Sequence, residues 1–510
     1  MAYTVEQKVK GHVYLYRVES YWDKEKRQSR QRRVYLGKKN PLTGEIVKEP
    51  SVYQSRDIGA VFFLFEAAKK IGLASAVKQI FPDLWAEIFA LAFFKLCEGK
   101  AFYLCNDWLD TVEFTPRPDL PSQRVSELLK VLGERKEDRF RFFSSWTEQY
   151  RASNRFIVFD ITSISSYGNR IEYLEWGYNR DGEALPQINL GVVYGEPSGL
   201  PLLYTPYPGS IHDVTTLKKL ITELRVLSLQ KTVFVLDKGF YSLTNLRHME
   251  RMSHIIPLPI RNKKEQQLVE THSDSIHAVE HALPFHQHIL YCVGEDIEIS
   301  GLSYRAYVYL DELKKVDERR RFIKQILECE RYVKSQGYTR RSEFEAFFKE
   351  HKSELTKYFG LKKQGSRFVL KQDHREIEGT LKRLGMFVLM TNTGLSAEEV
   401  IRLYREKDGV EKCFDSLKNG ISLKGLKITS GKTLEGLLFI EFVALILHSY
   451  MACRMRATAL NRTYTIPELL LELRKLKKIQ FGRKKTMVTE LSKRQRELFS
   501  AFQILPPAVS

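Results

Sequence analysis

The sequence predicts an α/β protein: a mixed sheet interrupted by a strand-containing insertion subdomain, with an N-terminal β-ribbon plus helical domain and a helical C-terminal region. Three observations carry this. Apolar strand runs cluster between residues 156 and 260, their rhythm breaks over 261–384, and it resumes with MFVLMT at 386–391. Apolar residues at helical spacing fill 58–71, 84–96 and 122–135. A capped, charged helix and a strongly apolar one follow the last strand run.

Along the chain, HVYLYRV at 12–18 and RVYL at 33–36 read as strands joined by the basic stretch WDKEKRQSRQRR. The resulting ribbon, residues 1–55, is suited to a phosphate backbone, although a solvated hairpin tip has the same composition. Residues 56–150 read as a small helical domain, broken by TPRPDLPS, that suits a DNA-end reader. Residues 151–260 read as three strands, a helix from Asp213, a strand ending VFVLD, a helix from Ser242 and a strand at 254–260. That order implies an antiparallel meander followed by β-α-β crossovers.

Residues 261–384 break the rhythm and read as the insertion, with strands at 289–291 and 304–309 and a charged helix at 317–335. The sheet resumes in 385–455. Ser396 with Glu399 three residues on forms a capping box, opening a helix expected to run to Lys418. Gly409 inside it costs about 1 kcal/mol against Ala. Residues 433–455 read as a buried helix, and 456–510 as a basic helical region. The longest apolar run, 437–451, contains Glu441 and His448 and reads as too short and too polar to span a bilayer.

Composition bounds the function. The 510 residues suffice for about three domains, with 43% hydrophobic and 28% charged residues as in globular proteins. A net charge of +19 spread along the chain points to a polyanion contacted over a large surface, most simply nucleic acid. The six cysteines lie outside any CxxC or zinc spacing and read as reduced thiols in a cytoplasmic protein. The N-terminus carries no apolar signal region.

The chemistry is carried by acids in unusual places. Asp160 sits in FIVFDIT and Asp237 in VFVLDKG; a carboxylate within an apolar run is costly to bury unless paired or ligating a cation. Tyr404, Lys407, Glu411 and Lys418 fall at i, i+3, i+7 and i+14 of the Ser396 helix, on or near one face. Two strand aspartates and a helix glutamate form a hard-oxygen set suited to Mg²⁺ or Mn²⁺, and two such ions can clamp an in-line phosphoryl displacement. Glu406 points about 140° away from Glu411 on a 3.6-residue helix, which favours Glu411 as the third ligand.

Asp160, Asp237 and Glu411 in this order resemble the DDE triad of bacterial insertion-sequence transposases. The likeness is closest to the group whose last acid lies in a Tyr-x2-Arg-x3-Glu-x6-Lys signature, here Tyr404, Lys407, Glu411 and Lys418. Lys407 replaces the usual Arg and exchanges a fork for a point charge. The segments from Gly177 to Leu217 and VFVLDKGFYSLTNL are similar to the same group.

The resemblance implies an RNase H-like core and a cut-and-paste DNA transposase that cleaves at terminal inverted repeats and transfers strands to target DNA, possible hairpin ends included. It implies Asp160, Asp237 and Glu411 as catalytic metal ligands for two Mg²⁺ (or Mn²⁺) ions. It implies Tyr404, Lys407 and Lys418 at the DNA phosphates, with Lys238 beside Asp237. The basic ribbon adds Arg27, Arg30, Arg32 and Arg33 as DNA contacts. The expected partners are double-stranded DNA, both transposon ends and target, and a second copy in a homodimer; the expected place is the cytoplasm, on the nucleoid, with no membrane. The alternatives are a transposase-derived DNA-binding regulator without catalysis, or an RNase H-fold nuclease. GLKITSGKT at 425–433 has five residues between its glycines and is rejected as a phosphate-binding loop.

Overall fold

Continuous apolar runs bury both faces of a strand, and the run around Asp160 lies at the interior of the largest sheet. The computed structural model describes residues 2–508 except 10–11, 24–25, 42, 48–51, 166–172, 177–184, 211–212, 228, 230–231, 261–262, 286–287, 352, 366, 408–429 and 482–484.

Four antiparallel strands, β1 (Ala2–Val9), β2 (His12–Asp23), β3 (Gln28–Lys39) and β4 (Ile46–Val47), open the chain. The ribbon expected from the sequence is β2–β3, and β1, not expected, flanks it along β2. After β5 (Val52–Asp57) come the helices α1 (Gly59–Lys70), α2 (Leu73–Ile80), α3 (Trp85–Glu98), α4 (Cys105–Thr111), α5 (Ser122–Glu134) and α6 (Lys136–Arg151). The meander follows as β6 (Phe156–Ser165), β7 (Gln187–Glu196) and β8 (Leu200–Pro208). Next are α7 (Asp213–Val226), β9 (Val233–Val235), α8 (Leu243–His248), β10 (His254–Leu258) and α9 (Lys263–Ser273).

The stretch expected as an insertion divides in two. β11 (Ala282–Phe285), β12 (His288–Ile299) and β13 (Leu302–Asp311) add to the main sheet. α10 (Glu312–Ser335), α11 (Arg341–His351), β14 (Phe359–Gln364) and β15 (Arg367–Gln372) gather a core of their own around Phe322, Phe344, Phe347 and Leu370. α12 (His374–Arg383) leads back to β16 (Met386–Thr391). The described part of α13 covers 397–407, and α14 (Gly431–Ala457) follows.

The chain closes with α15 (Ile466–Leu473), β17 (Lys477–Phe481), β18 (Lys485–Val488) and α16 (Lys493–Ala501). The C-terminal region is therefore not wholly helical. β17 pairs with β18 and with β5, in a three-stranded sheet. Its lysines hide a short alternation, Ile479 and Phe481, that only pairing with β5 makes visible.

The main sheet has nine strands in the order β11-β12-β13-β16-β10-β9-β6-β7-β8. β6, β9 and β10 are parallel to one another, and the other pairings are antiparallel. This is the mixed sheet expected: a meander, then crossovers through α7 and α8. One face of its parallel centre carries Val158, Val235 and Ile255 against the helical layer. The other carries Phe159, Phe234 and Ile256 against α7 and α8.

α14 is the axis of the helical layer. At 27 residues it is long and apolar enough to cross a membrane by length and composition, contrary to the shorter run read from sequence, but 83% of its apolar window is buried inside the protein. Two glycines set its approach to α5. A Cβ on Gly436 would lie 1.9 Å from the Leu129 carbonyl oxygen, and one on Gly133 would lie 1.8 Å from that of Lys432. Inside α14, Glu441 is buried with Lys95 Nζ at 3.3 Å from Oε1. Cys97, Cys105, Cys292, Cys329 and Cys453 are free thiols.

Candidate active site

Asp160 is placed by β6. The parallel pairing with β9 sets Ile157 against Phe234 and Val158 against Val235. Two residues further in this register, Asp160 comes level with Asp237. Side chains alternate along a strand, so Asp160 shares the face of Val158. Asp237, whose backbone is still extended (φ −81°, ψ 161°), shares the face of Val235. Both carboxylates thus belong to the side of the sheet covered by the helical layer. Asp160 is buried, and its Oδ1 accepts a hydrogen bond from the Ile161 amide at 2.9 Å.

α13 lies on that same face. Its capping box forms as expected: the Ser396 amide donates to Glu399 Oε2 at 2.8 Å, and the Glu399 amide donates to Ser396 Oγ at 3.3 Å. Val400, Ile401 and Leu403 are buried in the core that also holds Val158, Val235 and Leu389. Two tyrosines of β13 hold its start, Tyr307 Oη donating to the Leu395 carbonyl at 2.8 Å and Tyr309 Oη to the Ala397 carbonyl at 2.6 Å. Arg405 reaches Asp311 at 3.2 Å and covers the Phe387 ring. Nothing in the local sequence marks these anchors, because β13 and α13 lie about 90 residues apart.

The helix so held brings Lys407 to Asp237, Nζ to Oδ1 at 3.5 Å, with the lysine side chain only 4% exposed. An ammonium so enclosed needs an opposite charge. Tyr404 lies one turn earlier, its ring 5.9 Å from Lys407 Nζ. Glu406 turns elsewhere: it pairs with Arg402 at 3.6 Å, and partial burial raises its carboxyl above the ordinary range while Arg402 opposes the shift. Nearby, burial pushes the Glu196 carboxyl up to about 7, reinforced by the Glu406 charge and opposed by Arg456. Glu196 is a second acidic neighbour that sequence reasoning missed. Its position at the end of a strand gave no signal without the α13 contact.

Glu411 and Lys418 lie outside the described residues, as does His212. Among the described residues no three His, Cys, Asp or Glu side chains gather closely enough to hold a metal ion. Asp160 on β6 and Asp237 two residues past the end of β9, level with it by extension of the strand register, are hard carboxylates that fit a divalent cation completed by a third acid.

The family model described as "Transposase DDE domain" matches residues 151–447, a span from just before β6 into α14. The chain belongs to this family. It is a DDE transposase, an enzyme that acts on DNA, and such transposases in general use divalent metal ions. No curated protein matches it. Among solved structures it is similar to the "Cryo-EM structure of piggyBac transposase synaptic complex with hairpin DNA (SNHP)". The likeness is 8% identity over 81% of this chain and 70% of that one, with a TM-score of 0.34.

In the transposase, the remaining expected DNA contacts lie in two places. Lys238 follows Asp237 directly, opening the short 3-10 turn Lys238–Phe240. Arg30, Arg32 and Arg33 lie on β3, opposite Tyr21, Glu19 and Val18, and Arg27 holds a left-handed backbone (φ 47°) at the hairpin turn. The structure does not bring the hairpin arginines together with Asp160 and Asp237 through any described contact.

Proposed function

We propose that this transposase cleaves DNA at the terminal inverted repeats of its own element and joins the exposed 3′-hydroxyl to target DNA, in cut-and-paste fashion with hairpin ends as one route. The observation that carries the reading is the placement of Asp160 and Asp237. Asp160 on β6 and Asp237 just past the end of the parallel β9 come level by extension of the strand register, on the face where α13 delivers Lys407. In the helix that the sequence predicts from Ser396 to Lys418, Glu411 falls one turn after Lys407, which makes it the third acid of the proposed triad.

Asp160, Asp237 and Glu411 would hold two Mg²⁺ or Mn²⁺ ions, which supply Lewis-acid activation of the attacking oxygen and charge stabilisation at the leaving one. The chain's own residues position the DNA. Tyr404, Lys407 and Lys418, which the sequence spacing puts on one helix face, would meet phosphates near the cut together with Lys238. Because Lys407 is a point charge, it orients a phosphate less strictly than a guanidinium fork would. The enzyme works as a homodimer holding both ends, in the cytoplasm on the nucleoid.

The test is a Mg²⁺-dependent assay on duplex DNA carrying the sequences that flank this gene. Wild type should nick the element ends and then join them to target. Asp160→Asn and Asp237→Asn should bind the same DNA and leave it intact. Binding without cleavage by wild type would instead identify a regulator, and cleavage without joining a nuclease.

A further inference from the structure

The N-terminal ribbon extends beyond its own sheet. The pairing of β1 with β2 reaches Glu19, opposite Ala2, and among the described residues Ser20 to Asp23 and Gln28 to Gln31 pair with each other alone. Over this overhang nearly every described side chain is exposed; Trp22 is 64% exposed and Tyr21 49%. A strand pair that buries neither face adds little to the stability of the fold. The segment around it is basic, with eleven Lys and Arg against five acids in residues 1–47.

The two faces differ. Cross-strand partners share a face, so Arg17, Glu19, Tyr21 and Asp23 lie with Arg32 and Arg30. That face is laced internally: Arg17 pairs with Glu19 at 3.1 Å and Arg30 with Asp23 at 3.4 Å. The opposite face carries Ser20, Trp22, Ser29 and Gln31 along the overhang and Arg33 at its base, opposite Val18, with Gln31 Nε2 donating to Tyr3 Oη at 3.1 Å. It bears no acid along the overhang, and its donors and acceptors are the side chains that read base edges: Arg for guanine, Gln for adenine, Ser for either.

We propose that this two-stranded overhang, with Arg33 at its base, enters the major groove of duplex DNA with the Gln31–Arg33 face toward the bases. A major groove about 12 Å wide admits a two-stranded ribbon. Its phosphate walls then rise beside the ribbon, where Arg30 on the outer face can exchange Asp23 for phosphate and Arg32 lies next to it. The overhang is the base reader, and the outer arginines supply sequence-independent grip. The choice of DNA as partner rests on the transposase reading, but the face assignment does not involve catalysis.

The experiment uses the full chain in EDTA, so that cleavage plays no part, and selects binders from a randomised duplex library. Wild type should enrich a consensus. Gln31→Ala and Arg33→Ala should each relax it at separate positions and lower affinity for the selected duplex about 5- to 100-fold. Arg30→Ala with Arg32→Ala should keep the consensus and weaken all duplexes alike, with a shallower salt dependence. Circular dichroism of each variant confirms folding.

An unchanged consensus in both Gln31→Ala and Arg33→Ala would overturn the proposal, as would preferential binding of single strands or the absence of any wild-type consensus. None of these outcomes touches the catalytic reading. A wild type that selects a consensus yet never cleaves with Mg²⁺ would defeat the catalytic reading alone.

Discussion

Lys407 Nζ lies 3.5 Å from Asp237 Oδ1 and ties α13 to the end of β9. Because the lysine is buried, its charge is held close to any phosphate that reaches Asp237. Lys407→Ala should slow strand cleavage about 100- to 1,000-fold, the range for removing one electrostatic stabiliser from an active site. Lys407→Arg should recover part of the loss. Single-turnover cleavage measures both, and a wild-type rate in Lys407→Ala would remove the residue from the site.

Glu406 and Glu411 provide a test of helix register. Glu406 is engaged with Arg402 and electrostatically coupled to Glu196. Glu406→Gln should therefore leave cleavage within about threefold of wild type, since surface pairs of this kind contribute only about 0.3–0.5 kcal/mol. Glu411→Gln should abolish cleavage while DNA binding survives. The reverse result would shift the third ligand to Glu406.

The buried Lys95–Glu441 pair predicts a pH-dependent stability. Burial raises the Glu441 carboxyl from 4.5 to about 7, against the opposing pull of Lys95. Between those values the folded chain keeps a proton that the unfolded chain has released, so stability from this group falls as pH rises from about 4.5 to 7. Melting temperature measured from pH 4.5 to 8 should show that decline, and Glu441→Gln should flatten it. Lys95→Met should cost about 3–5 kcal/mol at pH 8, where it leaves the carboxylate unpaired, and less at pH 5. Equal losses at both pH values would contradict the assignment.

The contact of α5 with α14 depends on two glycines. Gly436→Ala drives a methyl into the Leu129 carbonyl, and Gly133→Ala drives one into that of Lys432. Each should destabilise by about 1–3 kcal/mol in denaturant unfolding. Both substitutions push the same two helices apart, so the double variant should lose less than the sum. Simple additivity would mean that the helices do not move as a pair.

Much of the fold is legible in the chain because periodicity is local. The runs at 156–161 and 386–391, the helices from Gly59 and Ser122, and the Ser396–Glu399 cap all emerge where residue spacing puts them. The aspartates stand out for the same reason, since an acid within an apolar run is anomalous wherever the strand pairs. β1 and the β17–β18 hairpin were not legible: neither contains a continuous apolar run, and each becomes a strand through the edge it pairs with.

By itself, then, the sequence determined the α/β class, the order of the central elements and the two strand aspartates. Tertiary structure alone decided that β11–β13 extend the main sheet, that β17 closes on β5 some 420 residues earlier, and that Asp160 and Asp237 come level. It also decided that Lys407, far along the chain, reaches Asp237. Local spacing sets which face of an element is apolar. Which elements share an edge or a face depends on long-range pairing and on packing against α14, where the positions of the facing groups decide the outcome.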